Sequence, residues 1–112
     1  SSAFAPANPT YAAAVERADG QVGVLLDALE ARPTRAEEAW LVVVTSDHGG
    51  HDRTHGTEMP EDITIPWLLC YPGVTPVEIA GAVSIIDNAP TIAALLAVEA
   101  APDWAGRAIL TS

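Results

Sequence analysis

Leu41-Val42-Val43-Val44-Thr45-Ser46-Asp47-His48-Gly49-Gly50 runs a short β-branched block straight into a carboxylate, an imidazole and two glycines. The block shows no alternation of apolar and polar residues, which is the pattern of a strand buried on both faces, as in a parallel sheet under helices. Such a strand delivers Asp47 and His48 at its carboxyl end, the rim where ligands and catalytic groups collect in open α/β sheets. Residues 46–61 are rich in Gly, His, Asp and Thr without any regular period, so they read as a long loop.

Upstream of the strand, residues 1–9 form an irregular, proline-broken lead-in, and Asn8-Pro9 supplies a capping side chain and a first-turn proline. Tyr11, Ala14, Val15, Ala18, Val22, Leu25, Leu26 and Leu29 then recur at three- and four-residue steps, predicting a helix over 10–31 with one apolar stripe. Gly20 and Gly23 each cost about 1 kcal/mol inside a helix, which close packing against a sheet would offset. Downstream, residues 63–71 read as a second strand with Pro66 near its start, Pro72-Gly73 as a turn and 82–86 as a third short strand. Asp87-Asn88-Ala89-Pro90 restarts a helix, with Asp87 as its cap and Thr91, Ile92, Leu95 and Leu96 as its buried face. Residues 100–112 form a tail anchored by Trp104, and Trp67 and Trp104 both read as packing residues. The order of elements is that of an α/β body.

Composition narrows the class. The chain has 112 residues, 15 Asp plus Glu, five arginines and no lysine, for a net charge of −10. That length allows one compact domain at most. The charge argues against a nucleic acid or an anionic membrane as partner. No apolar run approaches the roughly 18 residues of a membrane span. The lone Cys70 excludes an internal disulfide framework and a four-cysteine zinc site. Yet 49% of residues are hydrophobic and only 18% charged. Two or three strands flanked by helices leave apolar edges open. The sequence therefore implies absent neighbours, supplied by a larger body of which this is one part or by self-association through uncovered apolar surface.

All three histidines, His48, His51 and His55, lie within eight positions of the loop. A carboxylate beside an imidazole suits a divalent transition metal such as zinc or manganese, bound at about 2.0–2.2 Å. Adjacent side chains on an extended segment point apart, so joint ligation by Asp47 and His48 needs a bend, which Gly49-Gly50 would permit. The alternative is that Asp47 caps a turn and the histidines are solvated loop residues. His51 and His55 have the spacing of a helical metal pair, but the flanking glycines argue against a helix there. His51 is either a partner that orients a ligand or a solvated side chain. Arg53 either contacts a substrate oxyanion or pairs with Asp52 or Glu58.

Val44-Thr45-Ser46-Asp47-His48-Gly49-Gly50, then His55-Gly56, Ile65-Pro66 and Asp87-Asn88-Ala89-Pro90-Thr91, resemble in order the C-terminal part of the alkaline phosphatase superfamily. The resemblance covers about residues 10–107 and implies a three-layer α/β/α sandwich of which this chain is the C-terminal portion. It also implies a site with two divalent metal ions, zinc or manganese, for phosphoryl or sulfuryl transfer. Asp47 and His48 would serve one ion and His55 the other. The nucleophile and the remaining ligands would lie in an upstream half, so the chain alone is expected to be inactive. Sulfatases of the superfamily usually place a lysine after the His-Gly to grip the sulfate. Its absence here speaks against a sulfatase, and the loop resembles the phosphodiesterase and nucleotide pyrophosphatase branch, with a small phosphate ester as substrate, more than a phosphoglycerate mutase. The alternative of a different class is a freestanding, non-catalytic metal-binding or interaction module.

Overall fold

A computed structural model describes residues 8–50, 56–79, 81 and 83–111. They fall into two compact units, one from Ser1–Ala39 and Ser46–Pro66, the other from Trp40–Thr45 and Trp67–Ser112.

The first unit is dominated by helix α1, Pro9–Glu30. Asn8 caps it as the sequence predicts: its Oδ1 accepts the backbone N–H of Thr10 at 2.9 Å and of Tyr11 at 3.2 Å. The Ala31 N–H closes the other end on the Asp27 carbonyl at 3.0 Å. A single 3-10 turn, Arg35–Glu37, follows. Around it, Arg32 grips both carboxylate oxygens of Glu38 at 2.8 and 2.7 Å, and Arg35 pairs with Glu30 at 3.0 Å. The Glu38 carboxylate raises the Arg32 guanidinium above its already high ordinary value. The predicted apolar stripe is present but uncovered: no residue of α1 is buried, and Val15, Leu25 and Leu26 are exposed. A Cβ on Gly20 or Gly23 would meet nothing within 4 Å, so the close packing expected at these glycines is not seen. The loop Ser46–Pro66 belongs to this unit, and its described residues include a short helical turn, α2, Pro60–Ile63.

In the second unit, strand β1, Val42–Thr45, pairs antiparallel with β2, Trp67–Cys70. The register sets Val42 opposite Cys70, Val43 opposite Leu69, Val44 opposite Leu68 and Thr45 opposite Trp67. The parallel, doubly covered setting expected for β1 is not what the described residues show, since Val42, Val43 and Val44 are half-buried. Strand β2 begins later than predicted. Pro60 opens a helical turn through Ile63, and Pro66, having no N–H to give a ladder, holds the strand's start to Trp67.

The expected third strand is a correction of a different kind. Its described part ends in a 3-10 turn, Ile85–Asp87. The Asp87 carboxylate takes the Ser84 N–H at 2.8 Å and the Asp87 N–H meets the Ser84 carbonyl at 2.9 Å. These local bonds satisfy the backbone without a neighbouring strand. Helix α3, Asn88–Leu95, starts where the sequence predicts and buries Pro90, Thr91, Ala93 and Leu95, while Leu96 lies outside the small core. It ends in a Schellman turn, with Val98 N–H on the Ala93 carbonyl at 2.8 Å and Ala97 in the left-handed region at φ 55°.

The tail is anchored by backbone rather than by Trp104, which is exposed. The N–H of Arg107 donates to Asp87 Oδ1 at 2.9 Å and that of Ile109 to Thr91 Oγ1 at 2.9 Å. Gly106 makes this approach possible, because a methyl there would fall on the Ile86 carbonyl and lie 3.0 Å from the Asp87 nitrogen. Asp87 is thus no side-chain cap of α3: it makes no cap bond to that helix and binds backward to Ser84 and forward to Arg107.

Candidate functional site

Strand β1 ends at Thr45, and after Ser46 the loop presents Asp47 and His48. The two side chains converge although they are adjacent in sequence. The His48 backbone N–H binds Asp47 Oδ1 at 3.0 Å, folding the carboxylate back, and Asp47 Oδ2 then faces His48 Nε2 at 3.7 Å. The other ring nitrogen, Nδ1, lies 2.6 Å from the Gly49 carbonyl, which can only accept. Nδ1 is therefore the donor of this contact, and Nε2 is the ring nitrogen turned to Asp47. Ser46 adds a bond from its hydroxyl to the His48 carbonyl at 3.3 Å. Asp47 is largely exposed and His48 partly so. In this loop Gly56 takes the left-handed conformation, at φ 86°.

A carboxylate oxygen and an imidazole nitrogen are donor types that a divalent cation could take, and here the ring is oriented by a carbonyl. Two donors each about 2.0–2.2 Å from one ion are separated by roughly 3–3.7 Å for angles between about 90° and 120°. The observed 3.7 Å sits at the wide end of that range. Two donors are part of a coordination shell, and among the described residues no group of three or more His, Cys, Asp or Glu side chains is placed to hold a metal. His51, Arg53 and His55 lie outside the described residues.

One contact within the second unit had no signal in the sequence. The Trp67 indole Nε1–H donates to Asn88 Oδ1, joining the first residue of β2 to the first residue of α3 across 21 positions. The sequence marked Trp67 as a packing residue and Asn88 only as part of a helix start. No helix among the described residues is long and apolar enough to cross a membrane.

Comparison with known proteins adds a second line. A family model described as Sulfatase matches residues 5–98. The chain is 36% identical over 98 residues to a protein named Uncharacterized sulfatase YidJ from Escherichia coli (strain K12), a match covering 82% of this chain and 19% of that relative. The chain thus spans about a fifth of the length of the curated relative it matches. No solved structure matches it. Membership of the alkaline phosphatase superfamily, expected from the Asp-His-Gly and His-Gly motifs, is shown, and the branch that fits is the sulfatases. The expectation of a phosphodiesterase rested on an absent lysine and on the look of one loop, whereas the match runs along most of the chain.

Proposed function

The chain belongs to the sulfatase family, and from that membership we propose that it is the metal-loop portion of a metal-dependent hydrolase of sulfuric esters. One observation carries the reading: Asp47 Oδ2 and Nε2 of His48 face each other at 3.7 Å just after β1, inside the residues that the family match covers. In this reading Asp47 and His48 hold one divalent cation, zinc or manganese, and His55 contributes to a second. Such ions, when bound, draw charge from the ester oxygens and lower the pKa of an attacking group. The chain's own contribution is orientation. The Gly49 carbonyl fixes the His48 tautomer, and the His48 N–H fixes the Asp47 carboxylate. The nucleophile and the other ligands are proposed to lie in the rest of the domain, a three-layer α/β/α sandwich that covers the exposed stripe of α1. The 112 residues alone are then inactive.

A second reading has a specific observation behind it. Arg53 is the loop's one cation by sequence, and no lysine is present to hold a sulfate oxygen. This favours a phosphoric ester as substrate of the same site. The test is turnover of an aryl sulfate and of an aryl phosphate diester by the complete protein with zinc or manganese. Hydrolysis of the sulfate, lost by roughly 100-fold or more in Asp47→Ala and His55→Ala, supports the first reading. Hydrolysis of the diester alone supports the second. Turnover unchanged by either substitution contradicts both.

A further inference from the structure

The chain beyond α3 returns to that helix without a ladder of its own. Residues 105–111 make no backbone-to-backbone hydrogen bond among the described residues. They also lie outside residues 5–98, the stretch that the family model matches. Their bonds go instead to two side chains of the same unit: the Arg107 N–H to Asp87 Oδ1 and the Ile109 N–H to Thr91 Oγ1, each at 2.9 Å. Both acceptors are buried, Thr91 completely. Donors and acceptors match in spacing. Asp87 and Thr91 are four positions apart across the start of α3, roughly 6 Å for helical neighbours. Arg107 and Ile109 are two positions apart, a reach of at most about 7 Å. Only Ala108 lies between the two bonds, so neither opens far while the other is closed. Before Arg107, Gly106 passes so near Ile86 that a methyl group would fall on its carbonyl.

We propose that residues 105–110 are a strap that opens and closes over α3 as one piece, latched by Asp87 and Thr91 together. Opening it breaks two bonds to side chains and no ladder, so it is a local opening that leaves the helix intact. Closed, the strap holds the Asp87 carboxylate and the Thr91 hydroxyl; open, it gives both to solvent. The proposal is independent of what the Asp47–His48 pair binds.

The test is amide hydrogen exchange of the complete protein at neutral pH, resolved to single residues. In the wild type the Arg107 and Ile109 amides should share one protection factor within about threefold, and both should exchange faster than the Leu95 amide inside α3. Thr91→Val removes the acceptor of Ile109 alone, yet it should also speed the Arg107 amide by about tenfold, the scale of one lost bond, with Leu95 unchanged. Thr91→Ser keeps the hydroxyl and should leave the Arg107 amide within about threefold of the wild type. Unequal protection of the two amides in the wild type would overturn the inference without recourse to any variant. So would faster exchange confined to Ile109 in Thr91→Val, which marks two independent contacts, or an equal rise at Leu95, which marks a strap that opens only with its helix. An effect of Thr91→Ser as large as that of Thr91→Val would overturn it too, since the methyl group and not the bond would then be the latch.

Discussion

Asp87 accepts the backbone N–H of Arg107 at 2.9 Å across twenty positions of sequence while its other oxygen takes the N–H of Ser84 at 2.8 Å. One buried carboxylate thereby ties the turn before α3 to the tail that follows it. The backbone bonds from Arg107 and then Ser84 hold its pKa below the usual carboxylate value.

A folded-state pKa that is depressed makes the charged form the stabilising one. Its contribution is fully present above the unfolded value, about 3.9 for an aspartate, and is lost as pH falls through the lower folded value. Thermal unfolding of Asp87→Asn followed from pH 6 downward should show a lower midpoint at pH 6 and a shallower fall below pH 4 than the wild type. Parallel curves would contradict the assignment.

Thr91 has no exposed surface, and its hydroxyl accepts the N–H of Ile109 at 2.9 Å. Thr91→Val keeps the shape and removes the acceptor, stranding that N–H at a cost of about 1–3 kcal/mol. Thr91→Ser keeps the bond and should lose less. Urea denaturation of the two variants checks the order.

Ala97 sits at φ 55° in the left-handed turn that ends α3. A residue with a Cβ pays roughly 1–2 kcal/mol there, and glycine pays about 0.5–1 kcal/mol in chain entropy instead. Ala97→Gly should therefore raise stability by up to about 1 kcal/mol by the same balance, read as an increase in the thermal midpoint.

What the sequence reveals of this protein is mostly local. Asn8 and Pro9 mark the start of α1 because a cap and its proline are neighbours, and the Leu41–Thr45 run marks β1 because β-branching acts residue by residue. The motif around Asp47 and His48 gives away the superfamily for the same reason. What is not legible is set by partners far along the chain. Ser84 to Ile86 is apolar enough for a strand, yet the Asp87 carboxylate captures the Ser84 N–H and the segment turns instead. Asp87 has the residue type and place of a cap, but Arg107, twenty residues on, claims its side chain. The polarity of the β1–β2 pair and the Trp67–Asn88 bond are likewise relations between distant positions. The convergence of Asp47 on His48 depends on a bond from the His48 N–H that no periodicity announces.

The central claim is that Asp47 and His48 ligate a cation together. Equilibrium dialysis of the complete protein against zinc or manganese, with metal content determined for wild type, Asp47→Ala and His48→Ala, tests it most directly. Metal retained by the wild type and reduced to the same lower content in both variants is the predicted result. Equal metal content in all three proteins would contradict it.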